Sequence, residues 1–159
     1  MSYLFWGEFS APPKDKVRYD AESGRLYTVW ADGREAQGDL FAVVSSSPGF
    51  KVLFKADGGS LAGVECGGLN LAALPKARMD VPACADGVIR AEKRGCAFIA
   101  GCNYHGLISS AAAYDGEKNL LRFGNANADG MTFRALANAY VTLSPDGKLS
   151  AVTVQLKND

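Results

Sequence analysis

The sequence is poor in the side chains on which most catalytic and metal sites depend. It has one histidine among 159 residues, His105, so any imidazole-dependent mechanism must use that residue. It has no net charge, with 17 basic against 17 acidic residues, and so lacks the basic excess of proteins that coat nucleic acid. No apolar run approaches the roughly 20 residues of a membrane helix, so a soluble chain is expected. The apolar stretch Tyr3-Leu-Phe-Trp6 has no basic leader and breaks at Gly7-Glu8, so it does not read as a secretory signal. Also missing are the phosphate-cradling G-x-x-x-x-G-K-[ST] loop, the G-x-S-x-G elbow and paired C-x-x-C spacing. A protein without a cofactor is the expectation.

What is present is turn chemistry. Asp-Gly occurs at Asp32-Gly33, Asp57-Gly58, Asp86-Gly87, Asp115-Gly116, Asp129-Gly130 and Asp146-Gly147, in a chain with 18 glycines. Asp tolerates left-handed backbone and Gly adopts it freely, so these pairs suit the tight turns between antiparallel strands. The intervening segments alternate as strands do. Phe50, Val52 and Phe54 oppose Lys51 and Lys55, and Arg25-Leu-Tyr-Thr-Val-Trp-Ala31 follows Val17-Arg-Tyr19 across Glu22-Ser-Gly24. Ala139, Val141 and Leu143 alternate up to Ser144-Pro-Asp-Gly147, after which Val152, Val154 and Leu156 alternate again, which predicts a C-terminal hairpin.

Helix signals are few. Phe133, Leu136, Ala137 and Tyr140 have helical spacing with Asp129 as a cap, yet the same residues suit an extended strand, so Thr132–Tyr140 stays open between the two. Leu69 to Leu74 suits a single turn ended by Pro75. Length and the absence of a linker give one domain, 1–159. The expected fold is mainly β, an antiparallel sandwich or barrel of about eight strands with one or two short helices.

Four groups of residues are candidates for chemistry or contact. Cys66, Cys84, Cys96 and Cys102 form an even set in a turn-rich region, which suggests two disulfides, Cys66 with Cys84 and Cys96 with Cys102, or else buried thiols. Cys102, His105 and Ser109 are the residues a small Cys- or Ser-dependent hydrolase would use. Asn125, Asn127 and Asp129 place oxygen donors as the first half of a calcium loop does, but position twelve is Leu136 where a bidentate Glu belongs, so no metal is expected. Tyr3 and Trp6, with Tyr104 and His105, are candidate partner contacts, although large aromatics near the N-terminus equally form a first core strand.

With one histidine and no cofactor fingerprint, the sequence reads as a non-enzymatic binding or interaction module. An inhibitor, an immunity-type protein or a surface or assembly protein would fit, with another protein or a glycan as partner and no nucleic acid. The alternative is the hydrolase using His105. The even cysteine count favours an extracytoplasmic setting, periplasmic or secreted, over the cytoplasm.

Overall fold

In the computed structural model, which describes residues 3–45, 49–93, 98–105, 111–124 and 130–156, the chain runs as extended segments that reverse at short turns. The strands of the first half are β1 (Tyr3–Phe9), β2 (Lys16–Asp20), β3 (Arg25–Val29), β4 (Leu40–Val44), β5 (Lys51–Lys55) and β6 (Leu61–Glu65). There follow β7 (Ala85–Lys93), β8 (Asn103–His105), β9 (Ala112–Asp115), β10 (Leu120–Gly124), β11 (Met131–Leu136), β12 (Ala139–Leu143) and β13 (Leu149–Gln155). One sheet has the order β1-β7-β11-β12-β13-β10-β9, a second the order β6-β5-β4-β8, and β2 pairs with β3 alone. The fold is mainly β, but the described residues hold thirteen strands in three sheets rather than about eight strands, and neither larger sheet closes into a barrel.

Alternation places the core where the sequence predicts. Phe50, Val52 and Phe54 are buried, as are Val141, Val152 and Val154 on the β12-β13 hairpin. That hairpin turns at Ser144-Pro-Asp-Gly147: Gly147 takes φ 79°, and its N–H donates to Ser144 O over 3.0 Å. Gly24 closes the β2-β3 turn at φ 70°, where a Cβ would sit 2.9 Å from Leu69 O. The core is shared between the larger sheets: Phe5 packs on Phe54 at 5.8 Å, and Phe50 stacks on Phe123 at 3.9 Å. Each fully buried side chain of this size contributes about 1.5–3 kcal/mol relative to leaving it in water.

Two expectations are corrected and one open alternative is decided. Asp86-Gly87 is not a turn but lies within β7. The reason is the Phe133 ring, which covers Gly7 of β1 and Gly87 of β7; a Cβ at either glycine would overlap that ring. Glycine serves here to make room, and its freedom to turn is not used.

Second, Thr132–Tyr140, left open between helix and strand, is extended and forms most of the β11-β12 hairpin. Its apparent helical spacing comes from a bulge between Arg134 and Leu136, which turns both Phe133 and Leu136 to the core despite their unequal parity. Asn138 completes the tight turn and clamps β2: its Oδ1 accepts Val17 N–H, and its Nδ2 donates to Val17 O and Gln155 O, each over 2.8 Å.

Third, the one or two short helices reduce, among the described residues, to a single 3-10 turn at Leu71–Ala73. It is capped by the Asn70 side chain and ends at an extended Leu74 before Pro75.

The β2-β3 hairpin joins the four-stranded sheet through Thr28. Its hydroxyl donates to Val64 O (3.0 Å) and accepts from Val64 N–H (2.9 Å), standing in for a ladder pair. Gly63 permits the approach, since a Cβ there would lie 2.7 Å from Thr28 Oγ1. The sheets meet again where Ala91 N–H donates to Gly59 O over 2.9 Å.

Because the Phe133 ring fills the space above two glycines, Gly7→Ala should destabilise the protein by about 1–3 kcal/mol. Combining it with Phe133→Leu should cost less than the sum of the two single changes. Urea unfolding of the three variants checks this; additive losses would mean that ring and glycine are not in contact.

Candidate functional site

The predicted contact residues are divided by the fold. Tyr3 and Tyr104 come together, their rings edge to face at 6.1 Å, with Phe98 against both and Phe41 stacked on Phe98 at 3.9 Å. Lys93 Nζ lies 4.8 Å from the centre of the Tyr104 ring. Trp6 is on the opposite face of β1, donating to Glu8 Oε1 (3.2 Å), while Arg90 Nε donates to Glu8 Oε2 (3.1 Å). Those two bonds, Arg90 first, hold the Glu8 carboxyl below its ordinary range. His105 is exposed at the end of β8.

Of the hydrolase candidates, Cys102 and His105 lie among the described residues. Cys102 O accepts Ala42 N–H, so the ladder of β8 extends back to residue 102. Side chains of an extended strand alternate, which puts Cys102 with Tyr104 on one side and His105 on the other. Ser109, Cys96 and the calcium candidates Asn125, Asn127 and Asp129 lie outside the described residues.

Neither expected disulfide forms, because the thiols of Cys84 and Cys102 are free. Cys66 is buried in the core at a bridge to Leu26, whereas Cys84 is exposed beside β7. Burial pushes the Cys66 thiol up, with Glu65 adding to the effect. The cysteine argument for an oxidising compartment loses its force.

One cleft among the described residues was not legible in the sequence. Strand register puts Arg122, Thr153, Tyr140, Arg134 and Asp86 in one row across the outer face of the seven-stranded sheet, away from the core. Residues 75–84 form a strap without regular structure between the 3-10 turn and β7. The strap starts at the β9 edge, where Tyr114 N–H donates to Pro75 O (2.9 Å) and Ala77 N–H to Tyr114 O (3.2 Å). It then crosses the outer face: Met79 is buried, with Sδ 3.9 Å from Arg122 Nη1, and the charges of Arg134 and Tyr140 feel Cys84. Where the strap leaves β9 there is a cleft of about 580 Å³. Leu71 and Ala72 of the 3-10 turn, Lys76 to Arg78 of the strap, and Tyr114 to Glu117 line it.

Asp115 holds this cleft together. Its Oδ2 accepts Met79 N–H (3.1 Å) and its Oδ1 accepts Glu117 N–H (3.0 Å) and Lys118 N–H (3.3 Å). These bonds, that of Met79 first, hold the carboxyl below its ordinary range against the opposing effect of burial. Lys118 pairs in turn with Asp80 of the strap, which raises the Lys118 ammonium. Tyr114 donates its hydroxyl to Asn119 Oδ1 (2.9 Å), and burial pushes that phenol up. Asn119 takes a left-handed φ of 54° in the same turn. The wall is therefore fixed, and the one buried carboxylate in it is committed to backbone.

The structure is thus a mainly β scaffold with a cleft of about 580 Å³ at a sheet edge. The sequence matches no family model and no curated protein. No helix among the described residues is long and apolar enough to cross a membrane.

Because the folded-state pKa of Asp115 is lowered, its stabilising effect is fully present above about pH 4 and is lost as pH falls through the folded value. Asp115→Asn should melt below the parent at neutral pH, and the gap should narrow on acidification below about pH 4. Thermal melts across that range decide it; parallel pH profiles would remove the carboxylate from this role. With the native protein under limiting maleimide, Cys84 should be alkylated well before Cys66, read by peptide mass spectrometry. The reverse order would contradict the burial of Cys66.

Proposed function

We propose that the protein is a non-enzymatic binding module whose two larger sheets act as a sandwich-like scaffold. Its ligand in this reading is a segment of another protein, held in the cleft between the strap and the β9-β10 turn. The observation that carries the reading is the state of Asp115. The cleft has the volume and mixed lining of a ligand site, yet its one buried carboxylate already accepts three backbone N–H groups. A group so engaged is poorly placed for proton transfer, and among the described residues no histidine or cysteine lines the cleft. What the lining offers is contact: apolar surface from Leu71, Ala72, Ala77 and Tyr114, bordered by exposed Lys76, Arg78 and Glu117.

The hydrolase alternative has against it the alternation that separates Cys102 from His105 along β8. The aromatic group of Tyr3, Phe98 and Tyr104 is packed against the core, with Phe41 and Phe98 already face to face, so its rings serve mainly to close the end of the sheet.

A random peptide display library selected on the immobilised protein tests the reading. Enriched peptides should bind the parent and lose at least about tenfold in affinity to Ala72→Arg, which fills the cleft from an exposed position. Ala100→Arg, in an exposed turn before β8, should leave binding unchanged. Melting temperatures equal to the parent's confirm that both variants are folded. Absence of enrichment, or peptides indifferent to Ala72→Arg, would overturn the assignment of this cleft.

A further inference from the structure

Six Asp-Gly pairs punctuate the chain, and their chemistry goes beyond turning it. A glycine N–H can approach the preceding Asp side chain with no Cβ in the way, which opens the pair to an internal reaction. The Gly nitrogen bonds to the Asp Cγ, and the carboxyl OH leaves with the amide hydrogen as water. Water then opens the resulting imide. Cleavage at Cγ restores Asp, whereas cleavage at the main-chain carbonyl leaves the chain running through Cγ, an isoaspartyl linkage. Ring closure needs a protonated carboxyl, a glycine N–H released from other acceptors, and room.

Folding withholds these conditions from four pairs. Asp32 accepts Arg34 Nε–H (2.8 Å) and backbone N–H (2.9 Å), which hold its carboxyl below its ordinary range, and Gly33 N–H is given to Trp30 O (2.9 Å). Asp86 accepts Arg134 Nε–H (2.6 Å) with the same effect on its carboxyl, and the Phe133 ring crowds Gly87. Asp115 is spent on three backbone N–H groups. Asp146 accepts the Ser144 hydroxyl, and Gly147 N–H donates to Ser144 O (3.0 Å).

Asp57-Gly58, in the β5-β6 turn, differs from all four. Both residues are exposed; among the described residues the Asp57 carboxyl has no hydrogen bond or ion pair, and Gly58 N–H has no acceptor. Gly58 sits at φ 84°, and a Cβ built on it would meet within 4 Å only Arg90 Nη1, at 3.9 Å.

The same turn is a joint. Gly59 N–H donates to Lys55 O (3.1 Å), Gly59 O accepts Ala91 N–H (2.9 Å), and Gly58 O accepts Arg90 Nη1–H (3.2 Å), so this turn ties the four-stranded sheet to β7. There is no slack in it: a Cβ on Gly59 would lie 2.4 Å from Ala91 O. An isoaspartyl linkage at Asp57 lengthens the main chain by one carbon beside that joint.

We propose that Asp57-Gly58 is a self-modification site, at which the folded protein converts Asp57 to isoaspartate through the imide and thereby loosens the junction between its two larger sheets.

The experiment stores the full chain in warm neutral buffer, folded in one sample and in urea in the other. Peptide mass spectrometry with electron-transfer fragmentation, which distinguishes isoaspartate from Asp, follows each pair. In urea all Asp-Gly pairs should react at rates within about threefold of one another, because local sequence alone then governs them. In the folded protein isoaspartate should form at Asp57 at least about tenfold faster than at Asp32, Asp86, Asp115 or Asp146, through a species lighter by one water. Asp57→Glu, whose imide ring would be one atom larger, should melt as the parent does and lose the product. The isoaspartyl protein, separated from the unmodified form, should melt below fresh protein. Equal rates at the folded pairs, or a faster one elsewhere, Asp129-Gly130 included, would overturn the site. Modified protein that melts as fresh protein does would overturn its effect on the sheet junction.

Discussion

Three backbone N–H groups converge on one carboxylate, that of Asp115, and the arrangement of the sheet edge depends on it. The β9-β10 turn needs an acceptor for its own amides, which an Asp at its first position supplies. The same side chain has a second oxygen, and Met79 N–H takes it. That one additional bond ties a strap with no ladder of its own to the outer face of a seven-stranded sheet. Met79 then covers Arg122, and the chain goes on past Tyr140 into β7. The cleft is the gap left where the strap departs from the 3-10 turn. Its strap and turn walls are both fastened to Asp115, through Met79 on one side and Glu117 and Lys118 on the other.

The outer face explains why a strap is required. A sheet with a core on one side and water on the other shows a clean apolar-polar alternation. Here the outward-facing Leu120 is fully buried, and Thr153 and Tyr140 nearly so, which commits the second face to a cover as well. A helix is the usual cover, but Pro75 and Pro82 bracket the crossing segment, and proline disfavours helix both at its own position and before it. An extended strap with a few fixed points is what remains, and such a segment leaves gaps along its margins.

Much of the scaffold was legible because strand alternation and turn residues are local. The Phe50, Val52 and Phe54 face, the β2-β3 hairpin and the Ser144 to Gly147 turn each follow from neighbouring residues alone. The misreadings share a different cause. Gly87 looks like a turn residue, yet its purpose is set by Phe133, which no local pattern connects to it. Phe133 and Leu136 look helical because a bulge shifts the strand by one residue, and a bulge has no sequence signature here. The role of Asn138 has no local signal at all, because its partner Val17 lies 121 residues away. The cleft was illegible for the same reason: Met79 and Asp115 are 36 residues apart, and the segment between Pro75 and Cys84 has no periodicity to read.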